Sequence, residues 1–152
     1  MNYGIVYLAS IIVANLGFTY IPMMPLPFGE MFAPMSLLVG FIFVFRDLAQ
    51  RQLGHKVLGL MALGLIASYF MADPFVAVAS AVAFAISELI DWVIYTAMKQ
   101  PLKNRILYSS AISTPLDSAV FMLMLGFFSW YGFVVMVASK MIGAFIVWKR
   151  LK

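Results

Sequence analysis

This sequence predicts an all-α polytopic membrane protein, a compact bundle of six transmembrane helices, and three observations predict it. The chain has 152 residues and is 64% hydrophobic, and its apolar stretches approach the roughly 20 residues that cross a bilayer. Nine of the ten basic residues fall where one side of a six-span chain would lie, namely Arg46, Arg51, Lys56, Lys99, Lys103, Arg105, Lys149, Arg150 and Lys152. The connections of the other side hold Glu30 and Asp73 and no Lys or Arg, so the positive-inside rule puts both termini in the cytoplasm. A five-span chain would place Lys149-Arg150-Leu151-Lys152 outside and fits worse. The third observation is that the remaining ionisable residues lie within or at the ends of the apolar segments, where charge is expensive and marks function.

Helix 1 is expected over Tyr3–Tyr20. It has no basic run before its apolar core, and Met23-Met24-Pro25-Leu26-Pro27 is a poor cleavage site, so it reads as a span and not as a signal peptide. Asn15 adds an amide that donates and accepts, for a helix partner or for a ligand. Pro22, Pro25, Pro27 and Gly29 mark the first outer turn. Helix 2 is expected over Met31–Leu48, with Pro34 near its start, where a missing N–H costs little. At its end, Asp47 and Arg51 have the i,i+4 spacing of a helical salt bridge. Arg46 points elsewhere, to snorkel or to reach a ligand.

Helix 3, Val57–Met71, is short and apolar, an expected wall of the bundle. Asp73-Pro74 turns the chain into helix 4, Phe75–Met98, which carries the strongest single signal. Glu88 and Asp91 are i,i+3 and share a face that Phe84 and Tyr95 extend by a turn each way. An ionised side chain at mid-membrane costs about 2.5–3.5 kcal/mol even on the lenient scale, so that face must point inward. The structural alternative is a pair of clamps, one acid bonded to Lys140 and the other to Arg46 or Arg105. Gln100-Pro101 opens the basic turn before helix 5, Ile106–Phe127. Pro115 falls near its middle and should kink it or free carbonyls beside Ser113, Thr114 and Asp117. Helix 6, Tyr131–Trp148, carries Lys140 about halfway along, level with Asp117 and Glu88. A central polar chamber with a base and several acids is the natural assembly.

Residues 1–152 thus form one transmembrane domain, with little chain to spare for a soluble one. The net charge of +4 orients the spans instead of building a nucleic-acid face. No cysteine and a single His55 leave no thiolate, haem or metal signature, and no Walker A loop or dinucleotide fingerprint occurs. No cofactor is expected. Nor is an enzyme: Glu88 and Asp91 share one helix, and Ser109, Ser110 and Ser113 have no partner His.

The chain resembles, as a short member, the VUT family of vitamin-uptake-like membrane proteins, also described as queuosine precursor transporters. The residues that carry the resemblance are the Asn15 region, Phe32-Ala33-Pro34, Asp47-Leu48 with Arg51 and Gly54, Ser80 through Asp91, Ser109–Ser118 with Asp117, and Lys140. The resemblance implies six helices with cytoplasmic termini in the cell membrane and uptake of 7-deazaguanine bases such as preQ0 and preQ1. Two departures fall in the presumed site: Glu88 stands where the family often has an amide, and Ser113-Thr114-Pro115 where it often has Gly-Asn.

Such a base offers a ring N1–H and an exocyclic amine as adjacent donors, plus a carbonyl. One carboxylate can take both donors in a fork, while Lys140 or Asn15 donates to the carbonyl. The expected roles are Glu88 for the donor edge, Lys140 to neutralise Asp117, and Asp91 for a substituent or a proton, with Phe84 and Tyr95 as stacking surfaces and Arg46, Asp47, Arg51 and Pro115 as structural or gating residues. Transport by proton coupling or by facilitated diffusion both fit. Two other classes share the fold: a substrate-binding subunit working with a separate coupling protein, and a structural or assembly protein whose buried charges satisfy one another. A homodimer is compatible with all three.

Overall fold

The computed structural model describes residues 2–71, 74–126 and 128–151, with only the backbone at 74–77. Asp73, expected in the second outer turn, lies outside the described residues, as do the expected helix end at Phe127 and the last basic residue, Lys152. Among the described residues there are six α-helices: α1 (Tyr3–Tyr20), α2 (Ser36–Leu53), α3 (Val57–Met71), α4 (Pro74–Ala97), α5 (Leu102–Met124) and α6 (Trp130–Arg150). Five helical segments are long and apolar enough to cross a membrane, with α2 and α3 falling in one of them, Ser36–Met71.

That long segment is not one straight rod. The start of α1 meets the end of α2, where the Tyr3 amide donates to Gln52 Oε1 at 2.8 Å, and its end meets the start of α2, where Gly17 abuts Met35. Along α3 the order is the opposite. Gly4 faces Leu60, Gly64 faces Ile11, and Asn15 Nδ2 donates to Ser68 Oγ at 3.1 Å. Antiparallel to α2 and parallel to α3, α1 shows that the chain reverses between them. The reversal occurs at Gly54, whose φ of 58° is one that residues with a Cβ rarely adopt, followed by a single 3₁₀ turn, Gly54–Lys56.

Helix 2 begins five residues later than expected. Met31-Phe32 instead pairs with Met24-Pro25 as a two-residue antiparallel ladder, so the first connection is a small hairpin and the fold is not purely helical. Its tip, Pro27–Gly29, holds Phe28 and Gly29 at φ 67° and 78°.

The six helices close into a ring in the order α1, α2, α6, α5, α4, α3 and back to α1, with α2 also reaching across to α4 and α5. The tightest crossing is between α2 and α6. A Cβ on Gly143 would lie 2.8 Å from the Gly40 carbonyl carbon, and one on Gly40 would run into the Lys140 carbonyl. Only glycine lets the two backbones meet so closely.

The ring is inside out relative to a water-soluble protein. Leu63, Ile66, Phe70, Leu89, Val93 and Phe145 are exposed, while Arg46, Asp47, Glu88, Asp91, Ser109, Ser113 and Lys140 are buried. This distribution suits a bilayer, whose hydrocarbon wets apolar side chains and rejects ionised ones. Two apolar clusters pack the interior beside the charges, one around Tyr7, Ile11, Ile42 and Met61 and the other around Val44, Leu48, Tyr95 and Ile106.

Candidate functional site

The interior of the ring holds two charged groups that differ in make-up. The first is built on Arg46. Eight residues before Gly54, it lies about 12 Å above the basic end of the bundle at the helical rise of about 1.5 Å per residue. Its side chain is completely buried. Three carboxylates surround the guanidinium: Nη1 is 3.0 Å from Asp47 Oδ1, Nε is 3.4 Å from Glu88 Oε2, and Nη2 pairs with Asp91 Oδ2. Nη1 also donates to Gln50 Oε1 at 2.8 Å, and Gln50 Nε2 donates to Thr96 Oγ1 at 2.8 Å.

Each acid has a further neighbour from another helix. The Tyr7 hydroxyl donates to Glu88 Oε2 at 3.1 Å, and Ser109 Oγ donates to Asp47 Oδ2 at 3.0 Å. From α5, Ser113 lies near Asp91 without a hydrogen bond to it. Among the described residues, Glu88 Oε1 and Asp91 Oδ1 are buried with no hydrogen-bond partner, as are Trp92 Nε1, Tyr95 Oη, Ser110 Oγ, Ser113 Oγ and Thr114 Oγ1. Three carboxylates on one guanidinium leave the group two positive charges short when all three are ionised.

The second group is a pair. Lys140 Nζ on α6 donates to Asp117 Oδ2 on α5 at 2.6 Å and to Ser118 Oγ at 3.0 Å, and Ser87 Oγ on α4 donates to Asp117 Oδ1 at 3.2 Å. One cation meets one anion, and hydroxyl groups fill the remaining positions.

The expected site residues therefore separate. Glu88 and Asp91 stand together, with Ser113 beside Asp91; Asp117 and Lys140 stand together, tied to α4 through Ser87. Asn15 joins neither group, since its Nδ2 donates to the Ile11 carbonyl at 2.9 Å and to Ser68. Phe84 packs on the α1 and α3 core. The Tyr95 ring lies under Arg105, whose guanidinium carbon is 3.9 Å from the ring centroid and whose Nε and Nη2 donate to the Tyr95 carbonyl at 2.9 and 2.7 Å. Arg105 is thus occupied and is not the clamp on either acid of α4. Pro115 is accommodated inside a continuous α5, where its missing N–H leaves the Ala111 carbonyl without its helical donor.

Two expectations are corrected. Asp47 does not pair with Arg51, which stays exposed at the basic end; its partner is Arg46. Arg46 does not snorkel, because its side chain is fully buried at the centre of the three acids. Sequence reasoning also missed Tyr7, Gln50 and Ser87. A signal for Tyr7 was available: Gly4, Tyr7, Ile11 and Ala14 repeat at helical spacing, and Tyr7 is the one large polar member of that stripe. Two apolar grooves lie on the outside of the ring, one along Ala138, Met141, Ile142, Phe145 and Ile146 and the other between α3 and α4 at Leu65, Phe70 and Val82; neither touches the charged groups.

The family model described as "Putative vitamin uptake transporter" matches residues 29–149, most of the chain. No curated protein and no solved structure matches it. The chain belongs to that vitamin uptake family.

Proposed function

We propose that this family member imports a flat, polar, purine-like base of the 7-deazaguanine class, such as preQ0 or preQ1, across the cell membrane, and that Glu88 and Asp91 meet it. The observation that carries the reading is the Arg46 group. It is buried, it holds three acids for one guanidinium, and Glu88 Oε1 has no hydrogen-bond partner among the described residues. Charges kept only to glue helices together would be expected to balance, as Asp117 and Lys140 do. An acid-rich interior suits a ligand that brings donors, and the edge of a deazaguanine is rich in them.

In this reading the chain crosses the membrane six times with both termini in the cytoplasm, α3 being the short span. The reversal at Gly54 and the basic residues at one end of the ring support it. Because the acids are sealed inside the ring, a base reaches them only when helices part, first on one side and then on the other, as in carriers that bind at mid-membrane.

Binding of preQ0, preQ1, guanine, biotin and riboflavin to purified protein in detergent tests the assignment. The deazaguanines should bind best, and Glu88→Leu should remove that binding while the protein stays folded. Equal neglect of all deazaguanines by well-folded protein would defeat the substrate assignment. Reconstituted liposomes decide the machine. Uptake with no other protein present means a solitary carrier, whereas tight binding without uptake means a subunit that needs a coupling partner.

A further inference from the structure

The Arg46 group has a property that the uptake reading does not use. Arg46 is shared unequally: Asp47 lies 3.0 Å from Nη1, Asp91 pairs with Nη2, and Glu88 is held only at 3.4 Å through Nε. Asp47 also accepts from Ser109, and Glu88 accepts from Tyr7 through Oε2. Glu88 has the longest contact with the cation, and its Oε1, like Asp91 Oδ1, is buried with no hydrogen-bond partner among the described residues. Charged or titratable groups face it from nearly every side: Tyr7 from α1, Arg46 and Asp47 from α2, Asp91 from its own helix, and Asp117 from α5, with Asp117 itself neutralised by Lys140 from α6. The one titratable residue of α3, Tyr69, is about three helical turns from that helix's basic-end start and close to its other end. With Asp47 and Asp91 already exceeding the single guanidinium, a third buried anion has no cation left to meet.

We propose that Glu88 works as a carboxylic acid that carries a proton at Oε1 and, in that form, reads the lactam edge of the base, so that one proton travels inward with each substrate molecule. The proton comes from the medium outside and returns to the medium inside; no bond other than O–H is made or broken. A protonated carboxyl is donor and acceptor at once. Its O–H donates to the ring carbonyl while its other oxygen accepts from the ring N1–H, a two-bond match to a lactam. An ionised carboxylate only accepts and would instead take N1–H and the exocyclic amine. The two modes respond to pH in opposite senses. The inference rests on the proposed uptake of a purine-like base for its ligand, but the proton site is independent of that ligand.

Two measurements test it. Infrared difference spectra of the purified protein across a pH titration, with no substrate present, should show a carboxylic-acid C=O stretch that fades as pH rises, is lost in Glu88→Gln, and persists in Asp47→Asn and Asp91→Asn. Absence of the band, or its survival in Glu88→Gln, would overturn the proton site. Binding of preQ0 and guanine should be strongest at low pH and fall up to tenfold per pH unit above the titration midpoint of Glu88. Glu88→Gln should flatten that profile and, since an amide also both donates and accepts, bind at least tenfold more tightly than Glu88→Leu. Binding that strengthens as pH rises, or a Gln variant no better than Leu, would overturn the lactam-reading role. A band lost in Glu88→Gln in protein that binds none of these bases keeps the proton site and defeats the substrate reading alone. In liposomes, an acidic exterior should speed uptake by the wild-type chain severalfold; uptake that ignores the proton gradient would overturn the coupling.

Discussion

The Arg46 group and the Asp117–Lys140 pair lie inside the same ring, yet they are built on opposite principles. The pair is complete: one ammonium, one carboxylate, two hydroxyl groups, and links among α4, α5 and α6. The Arg46 group is lopsided, with three acids from two helices on one guanidinium and, among the described residues, no hydrogen-bond partner for Glu88 Oε1 or Asp91 Oδ1. Balance in a low-dielectric interior locks helices together. Imbalance leaves a place for something that brings positive charge or donors.

Substitutions can break this contrast. Arg46→Met should have the largest effect, because it strands three buried acids, and removing one member of a buried ion pair already costs about 3–5 kcal/mol. Little folded protein should be extracted from membranes, as read by size-exclusion chromatography of a fluorescent fusion. Adding Asp91→Asn should not restore it, since two acids remain; full recovery would mean that the group is just another pair.

Lys140→Met should cost about the same 3–5 kcal/mol by stranding Asp117, seen as a lower unfolding temperature in detergent. Here the second change is decisive. Lys140→Met with Asp117→Asn should recover most of the loss, and a double variant no better than the single would show that the pair is more than a balanced link. Gly40→Ala comes next, at about 1–3 kcal/mol for overpacking a tight contact, because the new methyl has only the Lys140 backbone to enter. Its effect should appear in stability and in the register of Lys140; an unchanged unfolding temperature would mean that α2 and α6 slide freely. Asn15→Ala should be the mildest. Interhelical hydrogen bonds average about 0.6 kcal/mol in membranes, and substrate binding should survive its loss. A binding defect there would bring α1 and Ser68 into the site.

The sequence made much of the fold legible. Tyr3–Tyr20 and Val57–Met71 are the observed bounds of α1 and α3, since apolar runs between breakers set helix limits in lipid without help from the fold. The start of α2 was misjudged because Met31 and Phe32 are as apolar in a hairpin strand as in a helix, and only their pairing with Met24 and Pro25 separates the two. In the site, the inward turn of Glu88, Asp91, Asp117 and Lys140 follows from the cost of charge in hydrocarbon, which depends on depth and helical face alone.

Which charge meets which was decided by the ring. Arg46 was expected to snorkel or to reach a ligand because helix 2 was expected to end at Leu48, whereas α2 runs on to Leu53, and nothing in a one-dimensional string says what stands opposite. The close approach of α2 and α6 at Gly40 and Gly143, and the reach of α2 across the ring to α4 and α5, put its guanidinium among three acids and Tyr7 beside Glu88. Composition and spacing determined that this protein would bury charge. Only the order and rotation of six helices determined that the charge would be unequal, because pairing is a property of distances between helices, and no local propensity encodes them.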